Sequence, residues 1–342
     1  MTTSPLVSVL VPIWHVEEYI EQCARSLFEQ TYSNLEFIFV DDASPDNSIT
    51  ILENVISEYP KRASHVKILH HDQNKGLAAT RNTLVEQSKG EFLFHVDSDD
   101  WIERNAITLL VNKQQESNAD IVIAQAYIHF KNETVTLRNG GWDMSREKAL
   151  PLVLKGILSP SIVRRLIRRS LYTNYFIKCE ESASHGEDFQ VYPRLLYYAN
   201  KAAGIPDYIY HYRRTNTNSY VYSLAQSTKG IIQWLTGLQL INDFFADKEV
   251  AYQEALKGRD VKYLHRHLLT YATYSKKENY NKILNLLWKT NQEDWQFIHW
   301  DNTIKRFIDS NYYCLWGSFL FRPWAWKYFY NRISKQGFCR YK

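Results

Sequence analysis

Cysteine is scarce in this sequence, with four residues among 342. Cys23, Cys179, Cys314 and Cys339 lie far apart and form neither a CxxC pair nor a zinc-ligand spacing. The sequence therefore does not predict a disulfide scaffold or a cysteine-based zinc site. We expect reduced thiols in a cytoplasmic protein, and Cys23 and Cys179 could equally be core packing.

Long apolar runs are also absent, since no stretch reaches the roughly 20 residues of a membrane-spanning helix. The chain enters the apolar segment Val7–Val11 without a preceding basic region, so we expect no signal peptide. The net charge is only +4, which argues against a general nucleic-acid binder. No GxGxxG follows a predicted strand, which argues against a dinucleotide-dependent oxidoreductase.

The first 130 residues alternate between strand-like and helix-like patterns of apolar residues. The pattern predicts strands at Leu6–Val11, Leu35–Val40, Val66–His70, Phe92–Val96 and Asp120–Phe130, and helices at Glu17–Gln30, Ile49–Tyr59, Gly76–Ser88 and Ile102–Glu116. Such alternation is typical of a doubly wound, mostly parallel α/β sheet flanked by helices.

The rest of the chain is less regular. Ser161–Ser170 contains four arginines whose spacing would gather them on one helix face. Ile205–Tyr212 predicts a further strand, and the chain is mostly helical from Ser223 onward. We therefore predict a first domain over residues 1–222 and a helical C-terminal region over residues 223–342.

The last 32 residues contain six basic residues, no acidic residue and many aromatic ones. Trp and Tyr favour the membrane interface, and basic residues are attracted to anionic lipid. The composition of residues 311–342 therefore predicts that this segment contacts a membrane surface. The alternative is a C-terminal helix that packs on the domain through its aromatic side chains.

Three carboxylates follow the predicted strand Phe92–Val96, at Asp97, Asp99 and Asp100. Neighbouring carboxylates repel one another at neutral pH, so a buried strand that ends in three of them needs a cation nearby. A hard divalent ion with oxygen ligands, carrying a phosphorylated substrate, meets that need. The alternative is a solvated acidic turn that caps the next helix.

Five segments together resemble the motif series of glycosyltransferase family 2, in order and in spacing. They are VSVLVPIWHVEEYI, FIFVDDASPDNS, NKGLAATRN, FLFHVDSDDW and HGEDF. The resemblance is strong over residues 6–130, weaker to about residue 220, and absent beyond. It implies the GT-A fold and a reaction that inverts the anomeric centre of a nucleotide-activated sugar.

The resemblance also assigns residues to the nucleotide. Asp41 corresponds to the aspartate that contacts the nucleobase, usually uracil. Trp14 takes the place of an aromatic residue that lines the base pocket, with Pro12 beside it, although a core aromatic is the alternative for Trp14. Glu17 would hold the ribose or the loop.

A second group would bind the ribose and diphosphate. Asn74, Gly76 and Arg81 belong to the motif that lies near the base and the diphosphate, and a solvated helix arginine is the alternative for Arg81. Arg213 resembles the arginine of a segment that closes over the phosphates.

The carboxylates after the strand would bind the metal. The resemblance assigns Asp97 to the ribose and the metal, Ser98 to the donor site, and Asp99 to direct or water-mediated contact with Mn²⁺ or Mg²⁺. Asp100 would be structural.

Inverting transfer also needs a base that takes the proton of the acceptor hydroxyl. Asp188 matches the general base of the family, and Glu187 would support the site. Without the resemblance, both would be ordinary first-turn residues of a helix. The four arginines of Ser161–Ser170 could meet a lipid-linked diphosphate or could be solvated charges.

The sequence thus predicts a metal-dependent glycosyltransferase that moves a hexose or N-acetylhexosamine from a nucleotide sugar, with UDP as the expected nucleotide. The acceptor would be a carbohydrate or lipid-linked oligosaccharide of a bacterial surface polysaccharide, at the cytoplasmic face of a membrane. The alternatives are a sugar-phosphate nucleotidyltransferase and a non-catalytic carbohydrate- or membrane-binding protein that keeps the fold.

Overall fold

The computed structural model describes residues 4–137, 145–216 and 228–257. Its strands are β1 Val7–Ile13, β2 Leu35–Asp41, β3 Val66–His70, β4 Phe92–His95, β5 Trp101–Ile102, β6 Ile121–His129, β7 Thr134–Leu137, β8 Arg165–Arg168 and β9 Ala202–Arg213. Its helices are α1 Ile20–Phe28, α2 Ser48–Glu58, α3 Pro60–Ala63, α4 Leu77–Gln87, α5 Ala106–Ser117, α6 Arg146–Leu154, α7 Ser170–Asn174, α8 Glu187–Tyr198 and α9 Thr228–Phe245.

These strands form one mixed sheet in the order β3-β2-β1-β4-β8-β6-β9-β5, with β7 paired to β6. The first four positions are parallel, as the alternating pattern predicts, and Val7 of β1 lies between Leu35 of β2 and Phe92 of β4. β8 then runs antiparallel to both β4 and β6. Parallel strands therefore place their carboxyl ends at one edge, where the polar motifs follow.

Burial explains the first half of the sheet. Every residue of β1 is buried, as expected for a strand that is covered on both faces. α1 buries Ile20, Cys23, Ala24, Leu27 and Phe28, which recur at helical spacing and join the same hydrophobic core.

The arginine-rich segment is the clearest correction to the sequence analysis. We expected a helix over Ser161–Ser170, but the structure forms strand β8 there, because Leu166 and Ile167 fill the sheet between β4 and β6. Arg164 and Arg165 are buried rather than solvated, and Arg164 donates to the Ala124 carbonyl oxygen at 2.7 Å. Burial, with Arg165 nearby, lowers the pKa of Arg164 to about 9.

Arg168 forms ion pairs within the protein, with Asp120 at 2.8 Å and Glu91 at 2.7 Å. A cluster on one helix face that meets a lipid diphosphate is therefore excluded. A smaller correction concerns Ile102, which pairs with β9 in strand β5, so that the following helix begins only at Ala106.

The predicted C-terminal region falls within the described residues only over 228–257. There, Lys229–Leu256 groups with Met1–Ala225 in one compact unit. The predicted membrane segment, residues 311–342, lies outside the described residues, as do Cys314 and Cys339. No helix in the described ranges is long and apolar enough to cross a bilayer.

Candidate active site

A cavity of about 460 Å³ lies where the carboxyl ends of β1 and β4 meet the start of α8. We call it the central cavity. Its walls include Trp14 after β1, Asp97, Ser98 and Asp99 after β4, and Asp188 in α8. Its volume is in the range typical of small-molecule sites. The predicted metal carboxylates and the predicted base therefore share one cavity.

The predicted donor residues divide into two groups. Pro12, Trp14, Asn74 and Gly76 line the central cavity, together with Arg81 and Ser98. Trp14 is 38% exposed, which rejects the core-aromatic alternative and leaves a ring face available for stacking.

Asp41 and Glu17 are not among the cavity-lining residues. One carboxylate oxygen of Asp41 accepts the Ser44 N–H at 2.8 Å, and the other lies 3.0 Å from His70 Nδ1. Glu17 accepts the backbone and side-chain N–H groups of Asn47, both at 3.0 Å. Of the two roles expected for Glu17, the structure supports only the one of holding the loop.

Asp42 is the acidic residue of the second motif that does line the cavity, and sequence reasoning missed it. Its carboxylate accepts the backbone N–H groups of Lys75 and Gly76, both at 2.8 Å, and also contacts His71 Nδ1 at 2.7 Å. Gly76 has φ of +88°, a conformation that favours glycine. Asp42 therefore fixes the loop that presents Asn74 and Gly76.

Arg81 connects two motifs that are far apart in the sequence. Its side chain is 3% exposed, which rejects the solvated-arginine alternative. Nη2 donates to Asp97 Oδ1 at 2.9 Å, and Nε donates to Glu187 Oε1 at 3.1 Å. Burial opposes the charge of Arg81, but the carboxylates around it outweigh burial and raise the pKa of the guanidinium well above its usual value.

The turn that carries the carboxylates is fixed by β9. The Tyr210 hydroxyl donates to Asp100 Oδ2 at 2.7 Å and accepts the Asp97 N–H at 3.1 Å. Asp100 is buried and also accepts the Arg213 N–H at 2.7 Å, in keeping with a structural role. Asp99 faces the cavity, where burial and then the charge of Asp97 raise its pKa to about 6.

Arg213 contacts the acidic turn. Its Nε donates to the Asp99 carbonyl oxygen at 2.8 Å, and its guanidinium lies over the rings of Tyr19 and Trp101. It is not among the residues that line the central cavity. These contacts use its charged group to hold the acidic turn, and its assignment to the phosphates stays a prediction.

The carboxylate oxygens at the acidic turn are suitable ligands for a hard cation. Within the described ranges, no three or more His, Cys, Asp or Glu side chains are grouped to hold a metal ion. Mg²⁺ and Mn²⁺ sites in phosphate-transfer chemistry commonly use only one or two carboxylates, and substrate phosphates supply further oxygens. Asp97 and Asp99 are two such carboxylates on one cavity wall, and the charge of Asp97 adds to burial in raising the pKa of Asp99.

Asp188 lies in the first turn of α8 and lines the same cavity. Its Oδ1 atom is buried and has no hydrogen-bond partner among the described residues. Burial, and then the neighbouring charge of Glu187, raise the pKa of Asp188 to about 7 from its ordinary value of 3.8. The raised pKa therefore brings the ionisation of this carboxyl close to neutral pH.

This burial predicts a stability gain for Asp188→Asn that depends on pH. Below the ordinary pKa near 4, the carboxyl is protonated in both folded and unfolded chains, so the variant gains nothing. Between about pH 4 and pH 7 the carboxyl ionises readily only in the unfolded chain. The free energy of unfolding of the wild type therefore falls by up to about 2–4 kcal/mol over this range, whereas that of the asparagine variant does not. Melting temperatures at pH 4 and pH 8 test this, and an equal gain at both would contradict it.

Helix α9 forms a wall of the site that no sequence motif predicted. Trp234 of α9 lines the central cavity and stacks on Phe189 of α8, with ring centroids 5.7 Å apart. It also packs directly on Gly186, where a Cβ atom would lie only 2.3 Å from the indole. Gly186 has φ of +82°, so both its conformation and its contact require glycine at the start of α8.

Comparison with known proteins agrees with this geometry. Residues 8–176 match the family model described as glycosyl transferase family 2. The chain is 31% identical over 216 residues to "Putative glycosyltransferase EpsH" of Bacillus subtilis (strain 168), a match that covers 61% of each chain. It thus spans less than two thirds of that relative.

Solved structures share the fold at low sequence identity. S. aureus TarS 1-349 in complex with UDP has a TM-score of 0.65 and 19% identity, covering 86% of this chain and 81% of TarS. The mannosyltransferase PcManGT of Pyrobaculum calidifontis, in complex with GDP-Man and Mn²⁺, has a TM-score of 0.55 and 14% identity, covering 93% and 84%. The predicted GT-A fold class is confirmed, and the chain belongs to glycosyltransferase family 2.

Proposed function

We propose that this protein transfers a hexose or N-acetylhexosamine from a UDP-sugar to a hydroxyl of a carbohydrate or lipid-linked oligosaccharide, with inversion at the anomeric carbon. The observation that carries the proposal is the central cavity, whose walls include both the Asp97–Asp99 turn and Asp188. A single displacement with inversion places the leaving diphosphate and the base on opposite faces of the anomeric carbon, and these are the roles that we propose for the turn and for Asp188.

The donor end of the cavity would bind the nucleotide. Trp14 offers a ring face to the base, and the Asn74–Gly76 loop brings its backbone close to the ribose and phosphates. Asp97 and Asp99 would hold Mn²⁺ or Mg²⁺, which when bound stabilises the negative charge that develops on the departing diphosphate. Arg81 holds Asp97 in place through its Nη2 bond.

Asp41 is kept as a proposed nucleobase contact because it ends β2 next to Asp42, which lines the central cavity. The bond from Ser44 leaves Asp41 with further acceptor capacity toward an imide N–H.

The base end of the cavity would activate the acceptor. Asp188 Oδ1, which is buried and unpartnered among the described residues, accepts the proton of the attacking hydroxyl. A pKa of about 7 makes this carboxylate a stronger base than an ordinary aspartate while a large share stays ionised. Glu187, held by Arg81, keeps the first turn of α8 in place.

This assignment predicts the pH profile of the enzyme. Since the base acts in its deprotonated form, kcat/KM for the donor should rise with pH and level off above an apparent pKa near 7. Initial rates of UDP release between pH 5 and pH 9 measure this. A profile without an ionisation between pH 6 and pH 8 would contradict the role given to Asp188.

The acceptor and the cellular setting are proposed from the relatives and from the sequence. EpsH is named as a putative glycosyltransferase, and TarS has also been crystallised with UDP-GlcNAc. These names support glycosyl transfer from a UDP-sugar donor. A role in surface polysaccharide synthesis is our proposal. We place the protein in the cytoplasm, with peripheral contact to the membrane through residues 311–342.

A screen of nucleotide sugars tests the function. Each is added with and without Mn²⁺, and the shift in melting temperature and the release of nucleoside diphosphate are both measured. A true donor raises the melting temperature because it binds only the folded state. Binding without turnover for every nucleotide sugar and acceptor would instead favour the non-catalytic alternative, and pyrophosphate release from a nucleoside triphosphate would favour a nucleotidyltransferase.

A further inference from the structure

We propose that His185 binds the sugar acceptor directly. Its Nε2 atom accepts a hydrogen bond from one of the hydroxyl groups of that substrate. The inference rests on the proposed function, because it names the side of the central cavity that the acceptor occupies. His185 lines that cavity and precedes Asp188 by three residues.

The hydrogen bonds around His185 fix which ring nitrogen carries the proton. Nδ1 lies 2.9 Å from the carbonyl oxygen of Gly230, and a carbonyl oxygen can only accept. Burial lowers the pKa of the imidazole below its ordinary value, so the ring is neutral at pH 7. A neutral ring that donates from Nδ1 has an unprotonated Nε2, which is an acceptor.

Helix α9 holds the ring and its backbone together. Gly230 and Gln233 lie in its first two turns, and the Gln233 side-chain oxygen accepts the His185 N–H at 3.2 Å. Trp234 packs on the next residue, Gly186, and lies 6.0 Å from the imidazole centroid. Three residues of one helix therefore define the position of His185, and none of their contacts uses Nε2.

The location favours the acceptor over the donor. The donor loops enter the cavity from β1, β4 and the start of α4, whereas His185 belongs to the segment that carries the base. The hydroxyl that loses its proton must lie at Asp188, so other hydroxyls of the same acceptor lie near this segment. His185 Nε2 can accept a hydrogen bond from one hydroxyl group while Asp188 takes the proton of another. This pair suits a substrate with several hydroxyl groups, such as a sugar.

Two substitutions separate this role from a structural one. In His185→Asn the amide nitrogen can take the place of Nδ1 and keep the bond to Gly230, but nothing replaces Nε2. In His185→Gln the amide oxygen can reach the place of Nε2 and accept in its stead. A purely structural histidine would tolerate asparagine better, whereas an acceptor-binding histidine would tolerate glutamine better.

The experiment uses the full chain, the donor found in the nucleotide-sugar screen, and octyl β-glucoside, octyl β-galactoside and octyl N-acetyl-β-glucosaminide as probe acceptors. We expect His185→Asn to raise the KM of the best probe about threefold to tenfold, the size of one lost hydrogen bond. His185→Gln should stay within about twofold of wild type. The KM for the nucleotide sugar and the slow rate of its hydrolysis without an acceptor should not change in either variant.

An unchanged acceptor KM in His185→Asn, or an equal rise in both variants, overturns the inference while the proposed function stands. A rise in the donor KM would move His185 to the donor side and also overturns it. If wild type releases no UDP from any nucleotide sugar, with or without a probe acceptor, the proposed function fails and the inference falls with it.

Discussion

Asp188→Asn should lower kcat by about 10²–10⁴-fold, the usual contribution of a well-placed general base. The asparagine has nearly the shape of the carboxyl group and fits the same position in α8, but it cannot take the acceptor proton. The affinity for UDP should remain within about twofold, because Asp188 is not among the groups assigned to the nucleotide. The measurement is UDP release under saturating donor and acceptor, with UDP affinity determined on the same preparations.

Asp207→Asn is the matched control, since Asp207 is an exposed carboxylate of β9 that does not line the central cavity. It should leave kcat and UDP affinity as in wild type. Because Asp188→Asn should also be more stable than wild type above pH 7, a loss of activity cannot be ascribed to unfolding. Retention of more than a tenth of wild-type kcat would remove Asp188 from the role of base.

Asp99→Asn should produce the second large effect, a fall in kcat/KM of about 100-fold or more. A bound cation supplies several kcal/mol of stabilisation to developing charge, and each 1.36 kcal/mol is a factor of ten in rate. The amide removes one negative ligand from the cavity wall where Asp97 and Asp99 lie together. Wild type treated with EDTA should lose activity to a similar extent and regain it with Mn²⁺ or Mg²⁺.

The two defects differ in how they respond to metal. Raising Mn²⁺ should restore part of the activity of Asp99→Asn, whose cation site is weakened, and none of the activity of Asp188→Asn. Asp207→Asn again serves as the control. Full activity of the wild type in excess EDTA would show that the two carboxylates act without a divalent ion and would contradict this assignment.

The parallel half of the fold could be predicted from sequence because each element there carries its own local signal. β1, β2 and β4 are short apolar runs that are buried on both faces, and α1 shows one apolar stripe. The polar residues that follow these strands were correctly placed at one edge of the sheet, since parallel strands end together there.

The antiparallel half gave no such signal. Arg164 and Arg165 look like surface residues, yet they are buried, because the carbonyl oxygens of Ala124 and Ser159 accept from their guanidinium groups and Tyr192 lies 4.1 Å from Arg165. Charge at helical spacing therefore predicted a helix where partners distant in the sequence stabilise a strand. The spacing of residues within one segment does not show which distant groups will accept hydrogen bonds from its side chains.

Within the site, motif matching located the cavity but not every side chain. Asp42 rather than Asp41 faces it, because alternation along the chain sends neighbouring residues to different sides. The contacts of Arg213 were not foreseen because its aromatic partners, Tyr19 and Trp101, come from other elements. Helix α9 was missed because its contribution rests on packing against Gly186 and Phe189, which no short motif encodes.

The central claim is that one cavity binds a nucleoside diphosphate at the Asp97–Asp99 turn and keeps Asp188 for the acceptor. Calorimetric titration of UDP in the presence of Mn²⁺ tests it most directly. We expect wild type and Asp188→Asn to bind UDP with affinities within about twofold of each other, and Asp99→Asn to bind at least about tenfold more weakly. Absence of UDP binding to wild type, or equal weakening in the Asp188 and Asp99 variants, would contradict the claim.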